Sequence, residues 1–340
     1  MKRILFNAAF LLAGLFAINT LFAQEKEKHE REEPKFKKEK SYSKSYSLDG
    51  NDKVSLNNQF GEMKLVTWDK NEVKVDVSMT GKSDREDRAQ KILDHISIED
   101  NKTGNTVSFK TKFSDDKNIW TDKDKETKGK HYNEGMEINY TAYLPSGTAL
   151  KAENQFGKMI VPDYRGDAEI ECKFGSLTAG KISNAKEVTV EFGSATIAQV
   201  NGGNLTIKFS NGTVNKLSGD VKSDLEFSEV KLNIDNDAKN LTIHNSYSTV
   251  YLDLDKNLSA TYDISTSHGG FSNKTGFTFK KQGEDGHGYG PRFNDRYTGT
   301  SGSGSTKIKV DSSFGEIVAG HDLQVDLTEK HKSKNKGTRI

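Results

Sequence analysis

Cysteine is almost missing from this chain. Cys172 is the single one in 340 residues, so no internal disulfide can form and stability has to come from packing. It falls in the inward phase with Ile170 and Phe174 and reads as a small apolar core residue rather than a reactive thiol. Net charge is also missing. With 50 Lys and Arg against 49 Asp and Glu, the chain has no overall field to draw it to nucleic acid or to an anionic membrane. Apolar residues make up only 33%, which suits a thin stack with a narrow core better than a thick globular domain. After residue 22 no apolar run approaches the ~20 residues that a membrane-spanning helix needs.

The chemical signatures are equally sparse. The eight histidines (29, 95, 131, 244, 268, 287, 321 and 331) make no i, i+4 helical pair and no cysteine cluster of the zinc-binding kind. No Gly-x-Ser-x-Gly elbow supports an esterase. The glycine-rich stretches 286–290 and 301–305 lack the strand, the helix and the Gly-Lys-Ser/Thr that phosphate cradles require. Asp115, Asp116, Asp122, Asp124 and Glu126 form an acidic loop, and Asp235 and Asp237 flank a turn. Lysines 117, 123 and 125 compete with any cation in that loop, so these read as solvated charges. Outward carboxylates such as Glu171 and Asp224 are the best acid and base for sugar cleavage, but they lie three repeats apart, roughly 14 Å at strand spacing. Paired glycosidase carboxylates sit at about 5 to 9.5 Å. No catalytic residue, metal site or cofactor is therefore expected.

What the chain does have is a repeat. An aromatic residue followed by glycine or serine recurs at Phe156, Phe174, Phe192, Phe209, Phe227 and Tyr247, at a nearly constant step. A fixed period of this kind marks a coiled stack. Around each aromatic the apolar residues alternate, as in Val188, Val190 and Phe192, which places one strand face inward and the other in water. The fold expected is all-β, a single-stranded parallel β-solenoid (β-helix) with rungs of about 18 residues.

Stacking puts like positions over one another. The six aromatics should form one internal column, neighbouring rings adding roughly 0.5–1.5 kcal/mol per pair. The following glycine should supply the backbone angles of the corner. The residue before each ring reads Lys173, Glu191, Lys208 and Glu226, an outward ladder of alternating charge that favours one register. The inward site two residues before the ring reads Asn154, Cys172, Val190, Ile207, Leu225 and Asn245, so asparagine is expected to terminate the apolar column at both ends. Open ends of such a stack can pair with further copies.

The flanks divide as follows. Residues 1–23 read as a signal peptide: Lys2 and Arg3, the apolar Ile4 to Phe22, then Ala23 before Gln24. Residues 24–44, nearly all Lys and Glu, read as a disordered tether. Residues 45–148 form an N-terminal β region. Within it, Val54 to Met63 repeats Leu150 to Met159, including Asn-Gln-Phe-Gly at Asn58 and at Asn154. Ser83-Asp-Arg-Glu86 has the form of a capping box for one short helix carrying Ala89, Ile92, Leu93 and Ile96. Strands follow near His95–Glu99, Thr106–Lys112 and Met136–Leu144, with a mobile loop over 114–132. Residues 149–327 hold the solenoid, regular to Ile264, with a loop insertion near 280–305 and a last rung at Phe314-Gly315. His268 is placed to replace the aromatic at the end of the stack. Residues 328–340 read as a disordered basic tail.

With the Leu144-Pro-Ser-Gly entry to Leu150, the Asn-Gln-Phe-Gly-x-Met turns, the aromatic-Gly rungs and the closing Phe314-Gly-Glu-Ile, the chain resembles the bacterial "putative adhesin" family DUF4097 over roughly residues 45–327. The resemblance implies an exported β-solenoid without catalytic residues. It points to a binding scaffold in the periplasm, on the cell surface or secreted, with a glycan or protein of the envelope as partner. The readings weighed beside it are a carbohydrate-active β-helix enzyme and an accessory of envelope-stress signalling.

Overall fold

Each strand of the repeat pairs in parallel with the equivalent segment of the next repeat. Cys172 lies beside Val190, Val190 beside Ile207, Ile207 beside Leu225, and Leu225 beside Asn245. The computed structural model describes residues 33–114, 133–282 and 294–327, and the chain divides into a unit of residues 1–34 and a unit of residues 35–340. Of the first unit only Glu33 and Pro34 are described, so the expected signal peptide lies outside the described residues. The second unit is all-β apart from one short helix, with a long and mostly parallel sheet.

Every rung consists of a strand leading to the aromatic and a strand leaving it. The leading segments run 150–155, 168–173, 187–191, 204–208, 222–226 and 240–246, and the leaving segments run 158–161, 176–182, 194–200, 211–217, 229–234 and 249–254. Leading and leaving segments form two faces that enclose the core. Alternation decides what goes in: Val188 and Val190 are fully buried while Glu187 and Glu191 are not. Each buried Val, Leu or Ile contributes about 1.5–3 kcal/mol.

The stack is not purely parallel, and it does not follow chain order at its ends. Lys53–Gln59 and Met63–Thr67, the rung of Phe60, lie between the Phe156 rung and the later strands Thr106–Phe113 and Glu134–Leu144. At the other end, Thr306–Ser313 and Glu316–Gly320, the rung of Phe314, slot between the Tyr247 rung and the earlier pair Ala260–Ser267 and Gly270–Lys274. Phe314 therefore belongs to the last rung but one in space, although its rung is the last in sequence. Both ends are finished by antiparallel strands. Phe36–Ser47 pairs with Glu72–Ser83, which pairs with Glu134–Leu144, and Ile96–Thr103 pairs with Thr106–Phe113. Asn294–Ser301 pairs with Ala260–Ser267 and with Phe279–Gln282. Several of these outer strands carry lysines (Lys37, Lys38, Lys40, Lys44, Lys280, Lys281), which oppose further edge pairing.

Three local expectations change. Residues 36–44 are not tether but part of the strand Phe36–Ser47, because Tyr42 and Tyr46 alternate with the charges and pack on the core. The helix is present at Glu86–Asp94, with Ala89, Ile92 and Leu93 buried, but the capping box is not. Arg85 occupies the N-cap without a side-chain bond, and Ser83 Oγ accepts the Arg85 amide at 3.2 Å. Ile96 belongs to the next strand. The acidic loop falls on residues 115–132 and part of the 280–305 insertion on 283–293, both outside the described residues, as is the tail 328–340. Within the insertion, Phe279–Gln282 and Asn294–Ser301 are strands rather than loop.

Candidate functional site

The column of rings is on the outside. Phe156, Phe174, Phe192, Phe209, Phe227 and Tyr247 lie over one another with centroids 4.8–5.0 Å apart and planes within 10°, yet each is 45–51% exposed. The expected internal column is thus an external ridge. Phe60 extends it at one end (5.1 Å, 7°), and Phe314 and then His268 extend it at the other (4.9 and 4.7 Å). The ridge has nine rings in eight steps, roughly 40 Å at the spacing of paired strands. Phe113 closes it edge-on against Phe60.

The reason is backbone conformation. All nine ring residues have positive φ, between 48° and 64°, so the chain turns its corner at the aromatic and throws the ring outward. For a non-glycine residue this region costs roughly 1–2 kcal/mol. The corner persists because its amide stays paired across rungs: Phe174 N donates to Glu191 O at 2.9 Å, Phe192 N to Lys208 O at 3.0 Å, and Phe209 N to Glu226 O at 2.9 Å. Stacking between rings offsets part of the strain. Glycine follows for a different reason from the one expected. Gly157, Gly175 and Gly193 are not in the left-handed region, but a Cβ on any of them would lie 1.9 Å from the carbonyl oxygen of the preceding rung. They are needed for space rather than for conformational freedom. From Ser210 onward serine takes over, and its hydroxyl is used: Gly193 N donates to Ser210 Oγ at 2.9 Å, Ser210 N to Ser228 Oγ at 3.2 Å, and Ser228 N to Ser248 Oγ at 3.0 Å.

Geometry limits what the ridge can do. The rings cover one another's faces, so a ligand approaching from the side meets ring edges, not the flat faces on which sugars or bases stack. Beside the ridge runs the ladder Lys173, Glu191, Lys208, Glu226, in register from rung to rung. Lys173 Nζ lies 3.4 Å from Glu191 and 3.0 Å from Glu171, and Lys208 Nζ lies 3.2 Å from Glu226. These are exposed pairs of ~0–1 kcal/mol each, which set alignment more than stability.

Inside the corner, the asparagines do not end the column. Asn58 and Asn154 are adjacent and buried. Thr111 continues beyond Asn58, and Ser312 and Thr266 continue beyond Asn245. Their amides serve corner carbonyls: Asn154 Nδ2 donates to Gly61 O and Lys158 O, and Asn58 Nδ2 to Ile138 O. Cys172 sits between Asn154 and Val190, and burial pushes its thiol up to about 11.

The outer face of the leaving strands carries a second regular feature. Ser176, Ser194 and Asn211 form one column and Thr178, Thr196 and Thr213 the next, all paired rung to rung and free of charge. Residues 321–327 cross this face at one side, where Asn211 Nδ2 donates to Leu327 O and Lys231 Nζ to Leu323 O. The signal was there to read, a Ser-x-Thr pair at 176 that returns one repeat later at 194, but it attracts no notice beside the aromatics. Phe60 and Phe314 were likewise visible as aromatic-Gly dipeptides and are missed as ridge members because their rungs are out of chain order.

The remaining candidates do not converge. Glu171 and Asp224 are separated by the rungs of Thr189 and Thr206. Asp235 and Asp237 share Lys216, at 2.8 and 2.5 Å. His244 lies outward between Asp224 and Asp311, its Nδ1 3.7 Å from Asp311. Gly302 and Gly304 shape a turn between two strands, held by Ser259. Among the described residues no group of three or more His, Cys, Asp or Glu could hold a metal ion, and no helix is long and apolar enough to cross a membrane.

No family model and no curated protein matches the chain. Three solved structures are similar to it. A "putative adhesin" of Bacteroides fragilis has a TM-score of 0.37 and 9% identity, covering 82% of this chain and 97% of its own. A "putative cell adhesion protein" of Clostridium sporogenes has 0.24 and 13%, covering 84% and 100%. A "putative lipid binding protein" of Parabacteroides distasonis has 0.28 and 12%, covering 82% and 96%. At these scores none assigns a role to a residue of this chain.

Proposed function

We propose that this protein is a non-enzymatic binding scaffold, a β-solenoid exported to the bacterial envelope, whose outer strand face holds a hydroxyl-rich polymer such as an envelope glycan. The observation that carries the reading is the uncharged face of Ser176, Thr178, Ser194, Thr196, Asn211 and Thr213, repeated in register in a chain of which 29% is charged. Donors and acceptors recur there at strand spacing, about 4.8 Å between rungs and about 7 Å along a strand, on a backbone that is already ordered. A regular ligand can be met at several rungs at once without ordering the protein, which is where a rigid stack gains affinity. Export rests on the charged and apolar start of residues 1–23, and the adhesin-like role on the resemblance carried by the aromatic-Gly rungs.

The test is co-sedimentation of the purified chain with peptidoglycan, capsular polysaccharide and outer-membrane fragments of a bacterial host. Retention by a glycan fraction that falls at least tenfold in Thr196→Lys, with unchanged thermal unfolding, is the expected result. Retention by no fraction, or retention indifferent to Thr196→Lys, overturns the reading.

A further inference from the structure

The ridge is a line of apolar edges that the fold itself leaves uncovered. Phe60, Phe156, Phe174, Phe192, Phe209, Phe227, Tyr247 and Phe314 are 36–51% exposed. At about 200 Å² per ring, they present on the order of 700 Å² in one continuous strip. That exceeds the ~300–600 Å² of the largest apolar patch on an ordinary monomer and approaches the ~800 Å² per partner of a standard interface.

The column one residue before the rings says what fits there. In rung order it reads Gln59, Gln155, Lys173, Glu191, Lys208, Glu226, Ser246, Ser313. Reversed about the point between Glu191 and Lys208, every positive position becomes negative, every negative one positive, and the neutral positions stay neutral. The same point divides the eight rings four and four. A sequence of charges that is its own complement on reversal is the requirement for a self-complementary, two-fold contact.

We propose that the ridge is the interface with a second copy of this chain, the two ridges running antiparallel about a two-fold axis that crosses them between Phe192 and Phe209. Lys173 then faces the partner's Glu226, Glu191 faces the partner's Lys208, and Phe192 lies beside the partner's Phe209. A slip of one rung sets Lys173 against the partner's Lys208 and Glu191 against its own counterpart, so like charges reject the neighbouring register. The apolar strip supplies affinity and the flanking ladder supplies register. This inference does not depend on the glycan reading, which concerns another face.

Sedimentation equilibrium of the purified chain should give a concentration-dependent dimer. Phe192→Asn, which keeps a residue at ease in the left-handed corner, should weaken it at least tenfold with the thermal midpoint of the dilute monomer changed little. Glu191→Lys should weaken it too, and Lys208→Glu added to it should restore it. Register is tested by mixing Lys173→Cys with Glu226→Cys chains under oxidation. The mixture should form a crosslinked heterodimer, whereas Lys173→Cys alone should not, because its two copies sit three rungs apart, roughly 14 Å, against the ~7 Å limit of a disulfide. A monomer at every concentration, crosslinking of Lys173→Cys alone as readily as of the mixture, or a monomer whose ridge binds phospholipid vesicles and loses them in Phe192→Asn would overturn the proposal.

Discussion

Asn58 and Asn154, far apart in the chain, are joined side chain to side chain, Asn58 Nδ2 donating to Asn154 Oδ1 at 3.0 Å in the buried interior. The repeated Asn-Gln-Phe-Gly string thus marks two rungs that lie in contact, and the amide of each asparagine also holds a backbone carbonyl. Asn154→Leu leaves the Gly61 and Lys158 carbonyls without this donor. It should lower stability by about 2–3 kcal/mol in urea titrations, with the urea dependence unchanged. Exchanging both asparagines for apolar residues should cost less than the sum of the two single changes, since neither then strands the other.

Gly175→Ala should destabilise the chain by about 2 kcal/mol or more, because the new Cβ would meet the Gly157 carbonyl at 1.9 Å and backbone on both rungs would have to part. Gly270→Ala, with nothing within 4 Å of its Cβ, should be close to neutral. Thermal melts of the two variants side by side check the difference.

The positive φ of the ridge residues predicts an inversion of the usual ranking of substitutions. At Phe174, with φ 54°, valine is the more apolar replacement but is β-branched and strained in this region, whereas asparagine visits it readily. Phe174→Val should be less stable than Phe174→Asn by about 1 kcal/mol in chemical denaturation at low protein concentration.

Acid should loosen the fold through particular carboxylates. The Lys102 ammonium 2.7 Å from buried Asp52 holds that carboxyl below its ordinary value, Arg296 does the same to Asp263, and Lys82 to Glu137. Their pKa values are lower folded than unfolded, so their contribution is complete above the unfolded values of roughly 4 and is lost as pH falls through the depressed folded values. Melting temperature followed from pH 7 down to pH 2 should hold until about pH 4 and then decline. Asp52→Asn should be less stable than the unaltered chain at pH 7 and lose less of its remaining stability on acidification.

The parts of this fold that sequence discloses are those governed by local alternation and by a constant step. Val188, Val190, Ile207 and Leu225 announce the core, and the even interval between aromatics announces which residues share a column. The direction of the rings was not legible. Extending the alternation of the strand through Phe174 or Phe192 puts the ring inside, and only the left-handed conformation at that residue breaks the phase and turns it out. The glycine behind it reads as the residue with the unusual angle when it is the aromatic that has it. Nor does spacing disclose that the Phe60 and Phe314 rungs sit out of order, since insertion between earlier neighbours leaves no mark on periodicity. The charged stretch 36–44 has the composition of a free segment, and only Tyr42 and Tyr46 at strand phase betray its pairing with Glu72–Ser83.

The displaced Phe314 rung also bears on how the molecule is made. As the polypeptide emerges from the ribosome, residues 260–274 are complete well before 306–320, yet their place in the finished structure is on the far side of them. Vectorial winding can proceed through Tyr247 and must then wait. Closure of that end belongs to the final stretch of synthesis, and a nascent chain stalled before residue 306 holds a gap where its spacer should be.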